Sequence, residues 1–319
     1  MSPFDATTLA DTGISATRLL DAPRDLVFRV FTDPKHLAEW WGPLGFTLTT
    51  RHAEMKPGGE WRFVMHGPDG RDYDNLVTFL EIEKPARLVY KQGGIVDGEP
   101  VEFTVELRFE EDGGKTRLFW RTNFASRHAL DFVVREHGAF EGLKQTLGRL
   151  AEHLALQDAL VITRLLDAPR DLVWRAHTEI GHLKKWWGPK GFDIFHATQD
   201  LRPGGMFHYG MRTASGQEMW GRFVYREILP QRRIVWVNSF SDPQGGLTRH
   251  VMSADWPLEM LIAMSFEEAG GKTTLTLRSA PINASDDERR VFKDGYKSME
   301  GGFGGTYDRL DAHLAGAPR

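Results

Sequence analysis

The chain has 319 residues, a net charge of −4 and no cysteine. This length suits about two domains, each able to bury a core without covalent staples. The lack of cysteine excludes disulfides, thiolate metal ligands and a cysteine nucleophile, and it favours a reducing compartment. Basic residues are scattered among acidic ones, so nucleic acid is not an expected partner. Neither a signal peptide nor a membrane span of ~18 apolar residues is visible, and we expect a cytoplasmic protein.

The chain contains an internal duplication. Residues 17–46 and 163–192 agree at 21 of 30 positions without a gap, and both segments end in the motif WWGPxGF. The offset is 146 residues here but 157 at the later pair FEEDGGKT and FEEAGGKT, so the second copy has gained 11 residues between about 237 and 257. A period near 150 is too long for a solenoid repeat. Each copy is therefore predicted to be a complete domain, at residues 7–155 and 160–315.

Each copy has the same predicted elements, described here for copy one. A short strand at residues 16–21 leads into a helix with Pro23 in its first turn. A second short helix begins at Asp33 and ends at the tryptophan pair. Strict alternation of apolar and polar residues then predicts a half-buried antiparallel sheet, and a long helix follows at about residues 127–154. One helix that covers one twisted sheet is an α+β arrangement.

This order of elements carries a family resemblance. Together with WWGPxGF, [KR]PGG, LEIEKPARLVY and a terminal helix that ends LxRLxxHL, it resembles the Bet v 1-like superfamily, also called SRPBCC, START-like or helix-grip proteins. More narrowly, it is similar to the domain family of the activator of the Hsp90 ATPase. The resemblance covers both copies and implies two tandem helix-grip domains, each with a cavity between sheet and helix. Such domains include lipid and hormone binders and polyketide cyclases, so the function stays open.

The candidate ligand lining consists of bulky apolar side chains on the predicted inner faces. In copy one these are Trp41, Phe63, Met65, Tyr73, Tyr90 and Trp120. In copy two they are Trp187, Phe207, Tyr209, Met211, Met219, Trp236, Met260 and Met264, with Phe292, Tyr296 and Met299 from the long helix. A filled core explains any one of these residues as well as an open cavity does. Methionine adapts to varied apolar ligands, which favours copy two as the binder.

The tryptophan pair and a glycine-rich segment each have two interpretations. Helical neighbours point about 100° apart, so Trp40 and Trp41 are not expected both to face inward. We expect Trp41 and Trp187 at the cavity mouths, and a hydrophobic plug at the helix end is the alternative. The segment GGFGGTY, residues 301–307, indicates either close packing or a kink against the sheet, or a helix thinned to make room for a ligand.

Two features of copy two predict contacts. The inserted segment could close the entrance as a lid, with Met252 and Trp256 as its apolar contacts, or it could simply lengthen a hairpin. Leu261 and Ala263 make one strand apolar on both faces, which is typical of a strand covered on both. We expect this second face to contact the other domain or another subunit, so a homo-oligomer is one expected assembly.

Motifs for catalysis are absent from the sequence. There is no G-x-S-x-G, H-E-x-x-H, phosphate loop or dinucleotide fingerprint. No two of the 12 histidines have ligand spacing with a third partner, and we interpret His153, His177, His182 and His313 as surface residues. We therefore predict no catalytic residue, no metal and no cofactor.

The leading hypothesis is a protein that binds a small hydrophobic molecule in one or both cavities without catalysis. One alternative is a cyclase-like or hydratase-like enzyme, in which polar residues at the cavity edge steer a hydrophobic substrate. The other is a protein-interaction module that resembles the Hsp90 activator and uses an exposed apolar surface.

Overall fold

The chain forms two compact units, Met1–Gln157 and Asp158–Arg319. Each unit contains one antiparallel sheet, two short helices after its first long strand and a C-terminal helix. The predicted fold class of two tandem α+β helix-grip domains is therefore confirmed. The computed structural model describes residues 4–10, 12–96, 99–251 and 253–316.

The first unit is built on a strongly twisted sheet with the strand order β1-β2-β8-β7-β6-β5-β4-β3. Its strands are β1 (Phe4–Ala10), β2 (Gly13–Leu20), β3 (Thr47–Ala53), β4 (Glu60–His66), β5 (Asp72–Glu83), β6 (Arg87–Val96), β7 (Glu99–Asp112) and β8 (Lys115–Phe124). Its helices are α1 (Arg24–Thr32), α2 (Pro34–Trp40), α3 (Arg127–His137) and α4 (Ala139–Ala155). The apolar core lies between the sheet and these helices.

The second unit repeats this plan with the strand order β10-β11-β12-β13-β14-β15-β9. Its strands are β9 (Leu160–Leu166), β10 (Phe192–Gln199), β11 (Met206–Thr213), β12 (Glu218–Leu229), β13 (Arg233–Phe240), β14 (Glu259–Ala269) and β15 (Lys272–Ile282). Its helices are α5 (Arg170–Thr178), α6 (Ile180–Trp186), α7 (Asp286–Asp294) and α8 (Tyr296–Ala315). The inserted residues lie between β13 and β14.

Two elements differ from the sequence-based expectation. Strand β1, which pairs with β2, was not predicted, because its short sequence shows no clear alternation. The long final helix is divided in both units, at Gly138 and at Gly295. Gly138 has φ 59°, a left-handed conformation that favours glycine and ends α3. In the second unit the division places Phe292 on α7, whereas Tyr296 and Met299 lie at the start of α8.

A buried arginine of α4 holds the loop that follows the tryptophan pair. Nη1 of Arg149 donates to the carbonyl oxygens of Gly42 and Pro43, both at 3.1 Å, and of Phe46 at 3.0 Å. Nη2 donates to the carbonyl oxygen of Glu39 at 3.2 Å. Buried carbonyl groups need donors, and a single guanidinium supplies them for this loop.

The second unit repeats the contact. Nη1 of Arg309 in α8 donates to the carbonyl oxygens of Gly188, Pro189 and Phe192 at 3.2, 3.1 and 2.8 Å. The arginine and the WWGPxGF motif are thus two parts of one contact, which gives a structural reason for the repetition of both. Gly188 has φ 107°, and a side chain at that position would also collide with Met211.

The first tryptophan of each pair is fully buried and packs between the two short helices. Nε1 of Trp40 donates to the carbonyl oxygen of Val30 at 3.2 Å. In the second unit, Nε1 of Trp186 donates to that of Ala176 at 2.8 Å. Both indole N–H groups are therefore satisfied inside the protein, as buried tryptophan requires.

The second tryptophan of each pair is also buried, so the expectation that both could not face inward is wrong. Trp41 is 7% exposed and Trp187 is 8% exposed. The expected 100° separation holds only within a helix. Trp41 already has an extended backbone, with φ −67° and ψ 129°, as does Trp187, and the chain turns its ring toward the sheet.

Replacement of Arg149 by Met should lower the free energy of unfolding of the first unit by ~3 kcal/mol, because buried carbonyl oxygens lose a charged donor. Arg309→Met should have the same effect on the second unit. Arg127→Met, at an exposed ion pair with Asp131, is the control and should cost less than ~1 kcal/mol. Urea unfolding followed by circular dichroism measures all three. Equal losses of unfolding free energy for Arg149→Met and the control would contradict a stabilising role of the hydrogen bonds from Arg149 to the loop.

Candidate functional site

The interior of the first unit is filled by aromatic rings. The Trp41 ring lies 5.2 Å from that of Trp61, 6.1 Å from that of Tyr90 and 6.0 Å from that of Trp120, measured between centroids. Trp61 and Phe63 stack at 3.9 Å. Edge-to-face and stacked contacts of this kind stabilise a packed core.

The predicted lining of the first unit belongs to this core with two partial exceptions. Trp41, Phe63, Tyr90 and Trp120 are buried. Met65 and Tyr73 are half-buried. Met65 packs against the core, and the Tyr73 hydroxyl donates to Asp69 Oδ2 at 3.3 Å at the edge of the sheet.

In the second unit the predicted lining divides into two groups. The first group shares one core between sheet and α8, and its members are Trp187, Phe207, Tyr209, Met211, Met219, Trp236 and Met264. Met260 is buried on the same face of β14 as Met264. The second group, Phe292 and Tyr296, lies beside the inserted segment, and Met299 is half-buried on α8.

The inserted segment packs against α7. The Trp256 ring lies 5.6 Å from that of Phe292, and Arg249 forms an ion pair with Glu288. A side chain on Gly295, at the break between α7 and α8, would meet Trp256 at 3.1 Å. Trp256 therefore has the apolar contact expected of it, whereas Met252 lies outside the described residues.

The buried tyrosines of the second unit indicate that its interior has a low dielectric constant. Burial raises the pKa of Tyr209 to about 12, although a hydrogen bond with Trp187 opposes the shift. Burial also raises the pKa of Tyr225 to about 12, and its hydroxyl accepts a hydrogen bond from Gln199 Nε2 at 3.0 Å. An environment that disfavours phenolate will disfavour any charged ligand.

Of the buried polar atoms in the second unit that lack a hydrogen-bond partner among the described residues, three lie on the inner face of β13 or on α8. They are Nε1 of Trp236, Oδ1 of Asn238 and Oη of Tyr307. Trp236 and Asn238 are alternate residues of β13 and so share its inner face, while Tyr307 belongs to the same core from α8. Burial raises the pKa of Tyr307, which keeps its hydroxyl a donor. Each unpaired buried polar atom calls for an explanation, and a bound ligand is one such explanation.

The first unit has different residues and hydrogen bonds at the matching positions. Gln92, which corresponds to Asn238, donates to Asn75 Oδ1 at 3.1 Å. Leu147 takes the place of Tyr307, at an offset of 160 residues. Of these matching positions in the first unit, that of Trp236 is held by Tyr90, whose buried hydroxyl has no hydrogen-bond partner among the described residues. Comparison of the two copies could have found Tyr307 as a polar substitution at a core position, because the first copy has Leu147 there.

The glycines of α8 leave space beside the helix. No described atom outside the helix's own neighbouring backbone lies within 4 Å of a Cβ built on Gly301, Gly302, Gly304 or Gly305. The helix runs through them without a break, so close packing does not explain them. In the first unit, Gln145 stands at the position of Gly305 and its Oε1 accepts a hydrogen bond from the Leu44 N–H at 3.1 Å.

Several histidines are not surface residues, contrary to expectation. His177 is buried, its Nδ1 donates to the Val173 carbonyl oxygen at 2.8 Å, and burial lowers its pKa to about 4. The ring lies 4.8 Å from that of Trp186 and 5.3 Å from that of Phe266. The local sequence around His177 does not show that the residue is buried. Only comparison with the first copy, which has Phe31 at the matching position, identifies it as a core position.

His153, His182 and His313, together with His36, form two pairs that join helices. Nδ1 of His36 lies 2.9 Å from Nε2 of His153, and Nδ1 of His182 lies 2.8 Å from Nε2 of His313. Each pair links the second short helix of its unit to the last helix. Burial, followed by the neighbouring charges of His182 and Lys185, lowers the pKa of His313. These side chains are half-buried and paired.

Within the described ranges, no group of three or more His, Asp or Glu side chains has the geometry of a metal site. Over the same ranges, no helix is both long and apolar enough to cross a membrane.

The sheet, the two short helices and the C-terminal helix make each unit a helix-grip domain. The profile of the family described as "Activator of Hsp90 ATPase homolog 1-like protein" matches residues 21–155 and 167–315. These segments comprise most of the chain, and the protein therefore belongs to this family, with one family domain in each unit.

Several solved structures are similar to half or to nearly all of this chain. A protein from Arthrobacter aurescens is 25% identical over 47% of this chain and 91% of its own, with a TM-score of 0.45. A protein from Nitrosomonas europaea is 26% identical over 49% and 94%, with a TM-score of 0.40. The di-domain ARO/CYC BexL from the BE-7585A biosynthetic pathway is 14% identical over 96% and 99%, with a TM-score of 0.49. No protein with a curated description matches the chain significantly.

Acid should destabilise the second unit through His177. Its folded pKa of about 4 lies below the ordinary 6.5, so the unfolded chain takes up the proton first. Stability present above pH 6.5 is then lost as the pH falls toward 4. The difference between the two pKa values corresponds to ~3 kcal/mol.

His177→Phe, which copies Phe31 of the first unit, should flatten this pH dependence while preserving the packing on Trp186. Urea unfolding of the full chain at about pH 7.5 and about pH 4.5 measures the effect. The reciprocal Phe31→His variant should make the first unit acid-sensitive. An unchanged pH profile in His177→Phe would show that other groups cause the dependence.

Proposed function

We propose that the second unit binds a small, neutral, largely apolar molecule that carries a hydroxyl or carbonyl group, between its sheet and α8. The observation that carries this proposal is the set of unpaired polar atoms of Trp236, Asn238 and Tyr307. Each such atom costs ~1–3 kcal/mol when buried without a partner. A ligand that pairs with them would recover part of that cost.

The chemistry of these atoms limits the ligand. Nε1 of Trp236 can only donate, Oδ1 of Asn238 can only accept, and the Tyr307 hydroxyl can do both. A ligand oxygen that accepts from the first and, as a hydroxyl, donates to the second is complementary to the set. The raised tyrosine pKa values favour a neutral group over a carboxylate or an amine.

Room for the ligand comes from adaptable side chains and from the helix. Met211, Met260 and Met264 lie on the inner face and can change rotamer at little cost. Gly304 and Gly305 leave open space on α8 near the loop held by Arg309. In the first unit, Met65, Phe103 and Leu107 stand at the positions of the three methionines, and Gln145, which is hydrogen-bonded to Leu44, stands at the position of Gly305. These differences support the second unit as the binder.

The full chain should bind 2-naphthol more tightly than naphthalene, because only naphthol offers a hydroxyl. Tyr307→Leu, which copies Leu147, should weaken naphthol binding about tenfold, the value of one hydrogen bond, and leave naphthalene binding unchanged. Isothermal titration calorimetry measures both. Tyr90→Phe, which removes the unpaired hydroxyl of the first unit, is the matched control. Equal affinity for the two probes, or a loss in Tyr90→Phe alone, would refute the assignment.

Gly305→Gln should also weaken binding of 2-naphthol. Glutamine restores the side chain that the first unit has at this position and fills the space beside α8. It is a better helix former than glycine by ~0.5–1 kcal/mol, so the variant should be at least as stable as the wild type. Thermal unfolding without ligand checks this stability. Undiminished binding in a stable Gly305→Gln variant would mean that the ligand does not use this side of the helix.

A further inference from the structure

A cavity of about 740 Å³ lies on the first unit's sheet, on the face opposite the core. Most of its lining residues alternate along their strands with core residues such as Val77 and Tyr90, which places them on the outer face. This cavity is therefore distinct from the helix–sheet interior of either unit. Among its lining residues are Arg51, Arg62, Asp74, Leu76, Lys91 and Glu102.

The charges of this outer cavity are balanced. Arg51 pairs with Asp74 at 3.1 Å, and Lys91 pairs with Glu102 at 2.7 Å. A site for phosphate or another anion would carry an excess of positive charge. Exposed, mutually paired side chains instead offer donors and acceptors side by side, which suits a neutral polar partner such as a polypeptide main chain.

The duplication shows what covers the same surface in the second unit. The offset of 146 residues maps Arg62 onto His208 and Leu76 onto Arg222. The strand registers agree, because Arg62 pairs with Leu76 and His208 pairs with Arg222. The two surfaces are therefore equivalent residue by residue.

In the second unit, a turn of the inserted segment, residues 241–247, lies on this surface. Nε2 of His208 donates to the carbonyl oxygen of Asp242 at 3.1 Å. Nη1 of Arg222 donates to the carbonyl oxygen of Gly245 at 2.7 Å. Outward-facing basic side chains of the sheet thus hold the main chain of a turn.

Hydrogen bonds within residues 241–247 hold this turn together. Oδ1 of Asp242 accepts hydrogen bonds from the N–H groups of Gln244 and Gly246 at 2.9 and 2.7 Å. Gly245 has φ 83°, which glycine adopts without strain. Ser241 and Leu247 close the turn by a β-bridge. A short peptide with these residues carries the local hydrogen bonds that define the shape.

We propose that the outer cavity of the first unit is a docking site for a glycine-containing turn of a partner protein. The first unit lacks the 11 additional residues with which the second unit covers the equivalent surface from its own chain. Arg62 holds the position of His208. Its Nε and Nη2 donate to Glu60 Oε2 at 3.0 and 2.7 Å, so Nη1 is the donor for a main-chain carbonyl group. Leu76 holds the position of Arg222, so docking there has one side-chain donor where the second unit has two.

The test uses the full chain and a fluorescent cyclic peptide with the sequence SDPQGGL of residues 241–247. Fluorescence polarisation should detect binding below ~1 mM. Arg62→Ala should weaken binding about tenfold, and Leu76→Arg, which restores the second donor, should strengthen it about fivefold to tenfold. Arg127→Ala, at an exposed ion pair on α3, should leave it unchanged.

Absence of peptide binding at ~1 mM would overturn the proposal. So would binding that neither Arg62→Ala nor Leu76→Arg changes, because the peptide would then lie elsewhere. Maltotriose serves as the alternative probe. Saccharide binding that Arg62→Ala abolishes, without peptide binding, would assign the cavity to a small polar molecule and refute the docking of a turn.

Discussion

The contact between one buried arginine and the loop after the tryptophan pair is the constraint on which each unit depends. Arg149 and Arg309 project from the last helix and bind several main-chain carbonyl oxygens of the WWGPxGF loop at once. The loop in turn places Trp41 or Trp187 against the sheet. Helix, loop and sheet are therefore fixed relative to one another by a single cation, and the rest of the interior is built within that frame.

The two units share this frame but differ in some of the side chains that fill their interiors. Both units fill their interiors with stacked and edge-to-face rings, but the first unit pairs Gln92, at the position of Asn238, with Asn75. The second unit puts Tyr307 where the first has Leu147 and Gly305 where it has Gln145. Under the proposed function, the second unit gives up some stability for buried polar atoms that a ligand would pair, a common exchange of stability for function.

Much of the fold could be predicted from the sequence, because the duplication and the alternation are strong signals. The sheet, the short helices and the position of the insertion follow from them. Strand β1 was missed because pairing with β2, rather than a pattern of its own, creates it. The helix break at Gly138 was missed because a glycine inside an apolar periodic segment signals a break only weakly.

The candidate site was predictable as a set of inward-facing apolar residues but not in its chemistry. Alternation places Phe207, Tyr209 and Trp236 on the inner face. Whether a buried polar atom has a partner depends on residues distant in sequence, as the Gln92–Asn75 hydrogen bond shows. The burial of Trp41 required knowledge that the helix ends one residue earlier, and helix ends are the least certain part of any sequence-based prediction.

Because Trp256 contacts Gly295, the inserted segment lies against the point that determines the direction of α8. The ring lies at the joint from which α8 extends, and a helix of 20 residues is about 30 Å long. A rotation of about 10° at this joint displaces the far end of the helix by about 5 Å, and Tyr307, roughly 18 Å along, by about 3 Å. A change in how this indole packs at Gly295 would therefore move both Tyr307 and Arg309.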